Sequence, residues 1–190
     1  MSHPFTVPEY IAAHRRVAEA CDPRAFEAGI DAVRAAFDGD RQIITCGNGG
    51  SAYAASHCIT DWNKMINLAT GRRFRGISLC DNIGLMTAFG NDLAFDEIFA
   101  GQLRAILTPG DLVIAISGSG NSPNVVKAVE YANASGAETL ALVGYDGGAL
   151  KRIARRVVWV PSFDMQLCED LHLMFVHMAM KALCGTPISS

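Results

Sequence analysis

Along this chain, short apolar runs rich in Val, Ile and Leu alternate with longer stretches whose apolar residues recur at helical spacing. The short runs fall at 42–46, 75–80, 112–117, 139–143 and 157–160. Their nearly continuous apolar character suits strands of a parallel sheet buried on both faces. Helix-length segments separate them, at 51–66, 93–107, 121–134 and 148–153. Two more precede the first strand, at 9–20 and 23–37, and a long one at 164–183 closes the chain. This alternation predicts an open, three-layer α/β fold, with helices on both faces of a parallel sheet and helical extensions at each end. No linker, repeat or low-complexity tract interrupts it. Residues 1–190 are therefore expected to form one domain, with 1–38 a helical arm and 39–190 the core. Tyr10, Ile11 and Val17 make an apolar stripe on the first helix, and Phe26, Ile30, Val33 and Phe37 on the second. Either their own sheet or a neighbouring subunit must cover these stripes.

Composition narrows the classes of partner. The 190 residues are half apolar and 18% charged, which suits one globular domain and excludes a disordered chain. Sixteen Lys and Arg against 19 Asp and Glu give a net charge of −3 with no basic block. Such a balance argues against nucleic-acid or anionic-membrane partners. No apolar run approaches the ~20 residues needed to span a bilayer, and no signal peptide is read at the N-terminus. The six cysteines (Cys21, Cys46, Cys58, Cys80, Cys168, Cys184) form no C-x-x-C pair. They are expected to be reduced, buried thiols of a cytoplasmic protein.

Candidate chemistry lies in two glycine–serine loops, each following a strand and opening a helix. In the first, Gly47, Asn48, Gly49, Gly50 and Ser51 allow close backbone approach, and the helix N-terminus offers N–H groups and a positive dipole to an anion. A tight structural turn is the plainer reading of the same residues. Gly47, Gly49 and Ala52 also fit a dinucleotide fingerprint, but that fingerprint needs an acid about 20 residues on, ending the second strand. The nearest such acid is Asp81, 34 residues after Gly47, so no nucleotide cofactor is expected. The second loop places Ser117, Ser119 and Ser122 within six residues, with Gly118 and Gly120 between them. One helix cap needs one hydroxyl, not three. Hydroxyls and backbone N–H groups together satisfy the several oxygens of a phosphate, so this loop reads as a monophosphate cradle. Without Gly-Lys-Ser/Thr it is no triphosphate-hydrolysing P-loop.

Acid–base groups follow. His57 and Asp61 stand four residues apart on the helix opened by the first loop, hence on one face. The last helix carries Glu169, Asp170, His172 and His177 among Leu171, Leu173, Met174, Phe175 and Val176. Ionisable groups in so apolar a helix need partners or a chemical role, though each histidine can equally be a hydrogen-bonded core residue. Asp92, after Gly90 and Asn91, reads as an N-cap of the 93–107 helix unless the site uses it. A phosphate cradle with carboxylates and histidines, and no redox motif, points to proton transfer on a phosphorylated metabolite. Sugar phosphates fit, because moving a proton between C1 and C2 needs only a base, an acid and polarisation of the carbonyl.

Gly47 to Ser51, Gly90-Asn91-Asp92, the 116–122 loop and the closing Glu-x-x-His-x-x-x-x-His run together resemble the SIS (sugar isomerase) superfamily, most of all its phosphoheptose isomerases. The resemblance implies a five-stranded parallel sheet flanked by helices, and a homotetramer with active sites between subunits. It also implies conversion of sedoheptulose 7-phosphate to D-glycero-D-manno-heptose 7-phosphate. By it, Asn48, Gly49, Gly50 and Ser51 hold substrate, while Ser117, Gly118, Ser119 and Ser122 hold its phosphate. Asn91 and Asp92 line the sugar chain, and His177 is the acid–base histidine. Asp61 stands where the family has its catalytic glutamate, and Glu169 where it has a glutamine. The family's Glu-Glu-Leu-x-Gly-Arg continuation is replaced by Asp61-Trp62-Asn63-Lys64-Met65, with Lys64 as the available substitute for a substrate-facing arginine. Glutamate plus glutamine carries one negative charge, whereas Asp61 plus Glu169 carries two. With His57 and His177 they make a ligand set suited to zinc or a similar divalent ion. The competing readings are a non-catalytic SIS-fold protein that senses phosphosugars or binds a replication initiator, and an isomerase or lyase of another phosphosugar. His57, an acid at 61 and His177 favour chemistry, since a sensor needs only the phosphate loops.

Overall fold

The five apolar runs become the five strands of one all-parallel sheet in the computed structural model, which describes residues 5–188. The strands are β1 (Ile43–Gly47), β2 (Gly76–Ser78), β3 (Leu112–Ser117), β4 (Glu138–Val143) and β5 (Arg156–Trp159), in the order β2-β1-β3-β4-β5. β1 and β3 pair from Ile43–Leu112 through Gly47–Ile116. Side chains of alternate residues on these strands enter different cores. Ile43, Leu112, Ile114 and Ile116 join one cluster, and Ile44, Cys46, Val113 and Ala115 the other. Two cores on one sheet explain why its strands read as continuous apolar runs.

On the first face lie α2 (Pro23–Asp38), α3 (Gly50–Asp61) and α9 (Met165–Cys184), which supply Phe26, Val33, Ala55 and Phe175 to the core. On the second lie α6 (Ala100–Ile106), α7 (Pro123–Ala134) and α8 (Leu150–Ile153), supplying Leu103, Val125, Val129 and Leu150. Local signals set the helix starts. Asp22 precedes Pro23 and caps α2, and the Asp164 carboxylate accepts from the backbone N–H groups of Gln166 and Leu167. The two N-terminal stripes have different fates. α2 packs Phe26, Val33 and Phe37 onto its own sheet, whereas α1 (Val7–Ala20) has no buried residue and leaves Ile11 63% exposed. α1 is tied to α9 by the Tyr10 hydroxyl, which donates to Asp170 at 2.7 Å.

Two segments differ from the sequence reading. The expected 93–107 helix is instead a 3-10 turn, Phe95–Glu97, followed by the short α6. Before it stands an unexpected helix, α5 (Ile83–Asp92), capped by the Asn82 side chain accepting from Leu85 N–H. Gly84 and Gly90 disguised it, since glycine disfavours helix interiors. Asp92 accordingly ends a helix and caps none. Past Asp61 the chain runs through a π-helical turn, Trp62–Ile66, into α4 (Asn67–Thr70). The strand order reverses between β1 and β3, the switch point where open α/β sheets bind ligands beyond the carboxyl ends of their strands. The two glycine–serine loops leave those two strands.

Candidate active site

At that switch point the loops enclose a cavity of about 290 Å³. It is lined by Asn48, Gly49, Gly50 and Ser51 from the first loop and Ser117, Gly118, Ser119 and Ser122 from the second, with Met165 and Glu169 of α9 closing the side. Both helices that start here lack a side-chain cap. Gly49, at φ 54°, takes the N-cap position of α3, a conformation that favours glycine. Ser122 takes that of α7 without a capping bond, and its Oγ lies 3.4 Å from Ser117 Oγ. Ser117 Oγ accepts from Gly120 N–H and Ser119 Oγ from Asn121 N–H, each at 3.2 Å. These bonds orient the hydroxyls and leave their O–H groups to donate.

The loop after β4 braces this cradle. Gly144 N–H donates to Gly118 O at 2.9 Å and Leu150 N–H to Gly120 O at 3.0 Å. Gly120 has φ 66°, and a Cβ there would run into the Gly147 carbonyl, so the brace also demands glycine. Asn48 lines the cavity, but its side chain makes two reciprocal 2.8 Å bonds with buried Asn124 at the start of α7. That pair fastens one loop to the other's helix.

The second feature is a three-residue cluster between α3 and α9. His57 Nε2 lies 3.1 Å from His177 Nε2 and 3.4 Å from Asp61 Oδ2, and His177 Nε2 lies 3.9 Å from the same carboxylate oxygen. The imidazole side chains are 43% and 45% exposed and the Asp61 side chain 28%, so ligand can reach all three. Trp62 fixes the arrangement. It is fully buried, stacks edge-on with Phe74, and its indole N–H donates at 3.0 Å to the Val176 carbonyl, next to His177. The Asp61 end of α3 is thereby held against α9. A π-helical turn beginning at Trp62 is a distortion that often marks functional sites.

The donor atoms of His57, Asp61 and His177 lie within 4.8 Å of one another. A tetrahedral ion with bonds of about 2.0–2.2 Å spaces its ligands by roughly 3.3–3.6 Å, so this nitrogen–oxygen set fits one divalent ion. Glu169 is not part of that group. It stands eight residues before His177 on α9, a rise of about 12 Å, and lies against Gly50 in the cavity. Asn91 and Asp92 sit exposed at the end of α5, bonded to each other at 2.8 Å, and neither lines the cavity. Lys64 is exposed on the π-helical turn.

His172 is fully buried in α9, and neither ring nitrogen has a well-formed hydrogen bond. Burial pushes its pKa down to about 4, offset only in part by the Val143 backbone. Sequence reasoning missed Trp62, Asn124 and Met165. A tryptophan directly after a candidate catalytic acid was a usable signal, whereas nothing in the sequence marked the Asn48–Asn124 pairing.

Among the described residues no helix is long and apolar enough to cross a membrane. Residues 9–144 match the SIS domain family. The phosphoheptose isomerase of Citrifermentans bemidjiense is 38% identical over 153 residues, covering 80% of this chain and 79% of its own. The solved structure of phosphoheptose isomerase GmhA from Neisseria gonorrhoeae aligns with a TM-score of 0.84 at 28% identity, over 94% of this chain and 98% of that one. A phosphoheptose isomerase from Francisella tularensis aligns with a TM-score of 0.85, also at 28% identity, over 92% of each chain. With its five parallel strands, its loops at the switch point and these relatives, the chain belongs to the SIS domain family, in its phosphoheptose isomerase branch.

Proposed function

We propose that this chain interconverts a phosphorylated ketose and aldose, taking sedoheptulose 7-phosphate to D-glycero-D-manno-heptose 7-phosphate. The observation that carries the reading is that α3 and α9, which wall the hydroxyl-lined cavity with Gly50, Ser51, Met165 and Glu169, bring a carboxylate and two imidazoles together about two turns further along. A protein that only senses sugar phosphates needs the cavity and not the cluster.

Ser117, Gly118, Ser119 and Ser122 hold the phosphate through hydroxyls, loop amides and the N-terminus of α7. Asn48, Gly49, Gly50 and Ser51 hold the sugar from the other side. Asp61 takes the proton from C1 of the ketose as the C1=C2 enediol forms, and returns a proton to C2. His177 supplies a proton to O2 in the first half and removes one from O1 in the second. The C1=O bond then replaces the C2=O bond with no net redox change. Their 3.9 Å separation lets both groups reach adjacent carbon and oxygen atoms.

His57, Asp61 and His177 are the residues that would hold a divalent ion, zinc being the best match; an ion there would supply polarisation of the carbonyl in place of the proton from His177. A homo-oligomer, read as a tetramer, brings Asn91 and Asp92 to the sugar chain where active sites meet between subunits. The bare face of α1 and the 82% exposed Tyr53 on α3 support such an assembly. Six free thiols suit the reducing cytoplasm.

Ser119→Ala tests the phosphate cradle. One hydrogen bond to a charged group is worth roughly 1.5–3 kcal/mol, so sugar-phosphate affinity measured by calorimetry should fall about tenfold to 150-fold with folding unchanged. Unchanged affinity for both sugar phosphate and free phosphate would place the phosphate elsewhere.

A further inference from the structure

The hydroxyl-lined cavity lies at the carboxyl ends of the strands, and another cavity of about 300 Å³ opens at their amino ends. Four of its residues stand where strands begin. Arg41 and Gly110 lie two residues before β1 and β3, and Glu138 and Arg156 are the first residues of β4 and β5. Ala32, Ala35 and Ala36 of α2, with the backbone of Gly39, form the facing wall. Arg41 has no carboxylate partner among the described residues, while Asp38 and Asp40 beside it in the chain pair with Arg72 and Arg73. Its guanidinium lies over Gly110, at φ 88°, where an added Cβ would come within 3.3 Å of Cζ and Nε. It donates a long bond of 3.4 Å to the Pro109 carbonyl. Arg156 gives Nη1 to Glu138, and Arg155 Nη1 lies 3.7 Å from the same carboxylate. Asp111, next to Gly110, is buried and does not line the cavity; its carboxylate accepts from Gln42 and Thr108. Positive charge therefore dominates the cavity, with Glu138 the one carboxylate among its lining residues.

We propose that this cavity is a second anion site, which takes a small metabolite carrying a phosphate or carboxylate group on a short carbon stem. A guanidinium presents five N–H donors in a planar fork that matches either group. Arg41 spends one donor on a weak carbonyl bond and Arg156 one on Glu138, so most donors of both remain for a ligand. The alanine and glycine wall carries no hydrogen-bonding side chain, so it accepts carbon rather than hydroxyls. That separates this cavity from the serine-lined one at the other end of the sheet. An anion held by both arginines links the chain just past α2 to the start of β5. It sits about the length of a strand, roughly 17–20 Å, from the loops that β1 and β3 carry, and so does not compete with a sugar phosphate bound there.

Amide NMR spectra of the protein as purified, titrated at fixed ionic strength with inorganic phosphate and separately with succinate, test the proposal. Saturable shifts are expected at the amides of Gly39 and Gly110. They should persist in Ser119→Ala, which weakens binding at the other cavity and leaves this one untouched. Arg41→Gln should weaken binding here about tenfold to 150-fold, the worth of one hydrogen bond to a charged group, with sugar-phosphate turnover at the wild-type level. Arg41→Lys keeps the charge without the fork and should fall between wild type and Arg41→Gln. Arg41 is exposed, so both variants should fold. Binding of phosphate but not succinate assigns a phosphate ester as the ligand class, and the converse a carboxylate; either result supports the site. The proposal is overturned by the absence of a saturable shift at Gly39 and Gly110 with both anions, by shifts that sodium chloride alone reproduces, or by shifts that Arg41→Gln leaves unchanged.

Discussion

Asp61→Asn should lower turnover by about 10²–10⁴, the usual contribution of a positioned acid–base group, while leaving sugar-phosphate binding largely intact. The amide fills the same volume but has no basic oxygen to take the C1 proton. The fold around it should hold, because Trp62, not Asp61, anchors this end of α3 through its bond to the Val176 carbonyl. Steady-state kinetics with metal analysis of the same samples separates loss of the base from loss of a bound ion. Asp61→Glu adds one methylene of reach and reports whether the pocket is shaped around the shorter acid. Near-normal turnover in folded Asp61→Asn would move the base elsewhere.

The second large effect distinguishes the two histidines of α9. His177→Gln should lower turnover at least about a hundredfold, since it removes a group that moves protons at the sugar oxygens. His172→Gln should leave chemistry alone and act on stability. The buried His172 ring, held neutral with a pKa of about 4, takes up a proton in the unfolded chain near pH 6.5 but resists doing so when folded. Its favourable contribution is therefore complete above pH 6.5 and is lost as pH falls toward 4, by up to about 3 kcal/mol. Urea titrations across that range should show the loss in wild type and a flatter dependence in His172→Gln. If the His172 change abolishes turnover in a folded protein while the His177 change is silent, the two roles are reversed.

Most of the sheet and both loops are legible in the amino-acid sequence. Val-, Ile- and Leu-rich runs feed both cores at once, so all five strands announce themselves. The glycines and serines of both loops mark the cavity because their chemistry is local to the loop. His57 and Asp61 are readable as a pair because four residues close one helical turn. What stays hidden depends on contacts across the fold. His177 meets that pair because α3 and α9 pack in one core, with Trp62 bonded to the Val176 carbonyl beside it, and Glu169 lies in the cavity because eight residues of α9 separate the two. The helix ending at Asp92 is hidden by Gly84 and Gly90, whose low propensity is overridden by the Asn82 cap and by packing of Met86 and Phe89 against the second core.

Proton transfer between C1 and C2 of a heptulose phosphate is the central claim. Incubating the protein with sedoheptulose 7-phosphate in deuterium oxide and following the sugar by NMR tests it most directly. The expected product is an aldose 7-phosphate carrying solvent deuterium at C2, formed by wild type and scarcely by Asp61→Asn. Binding of the sugar phosphate with neither aldose nor deuterium incorporation would contradict it, and would make this chain a phosphosugar-binding protein.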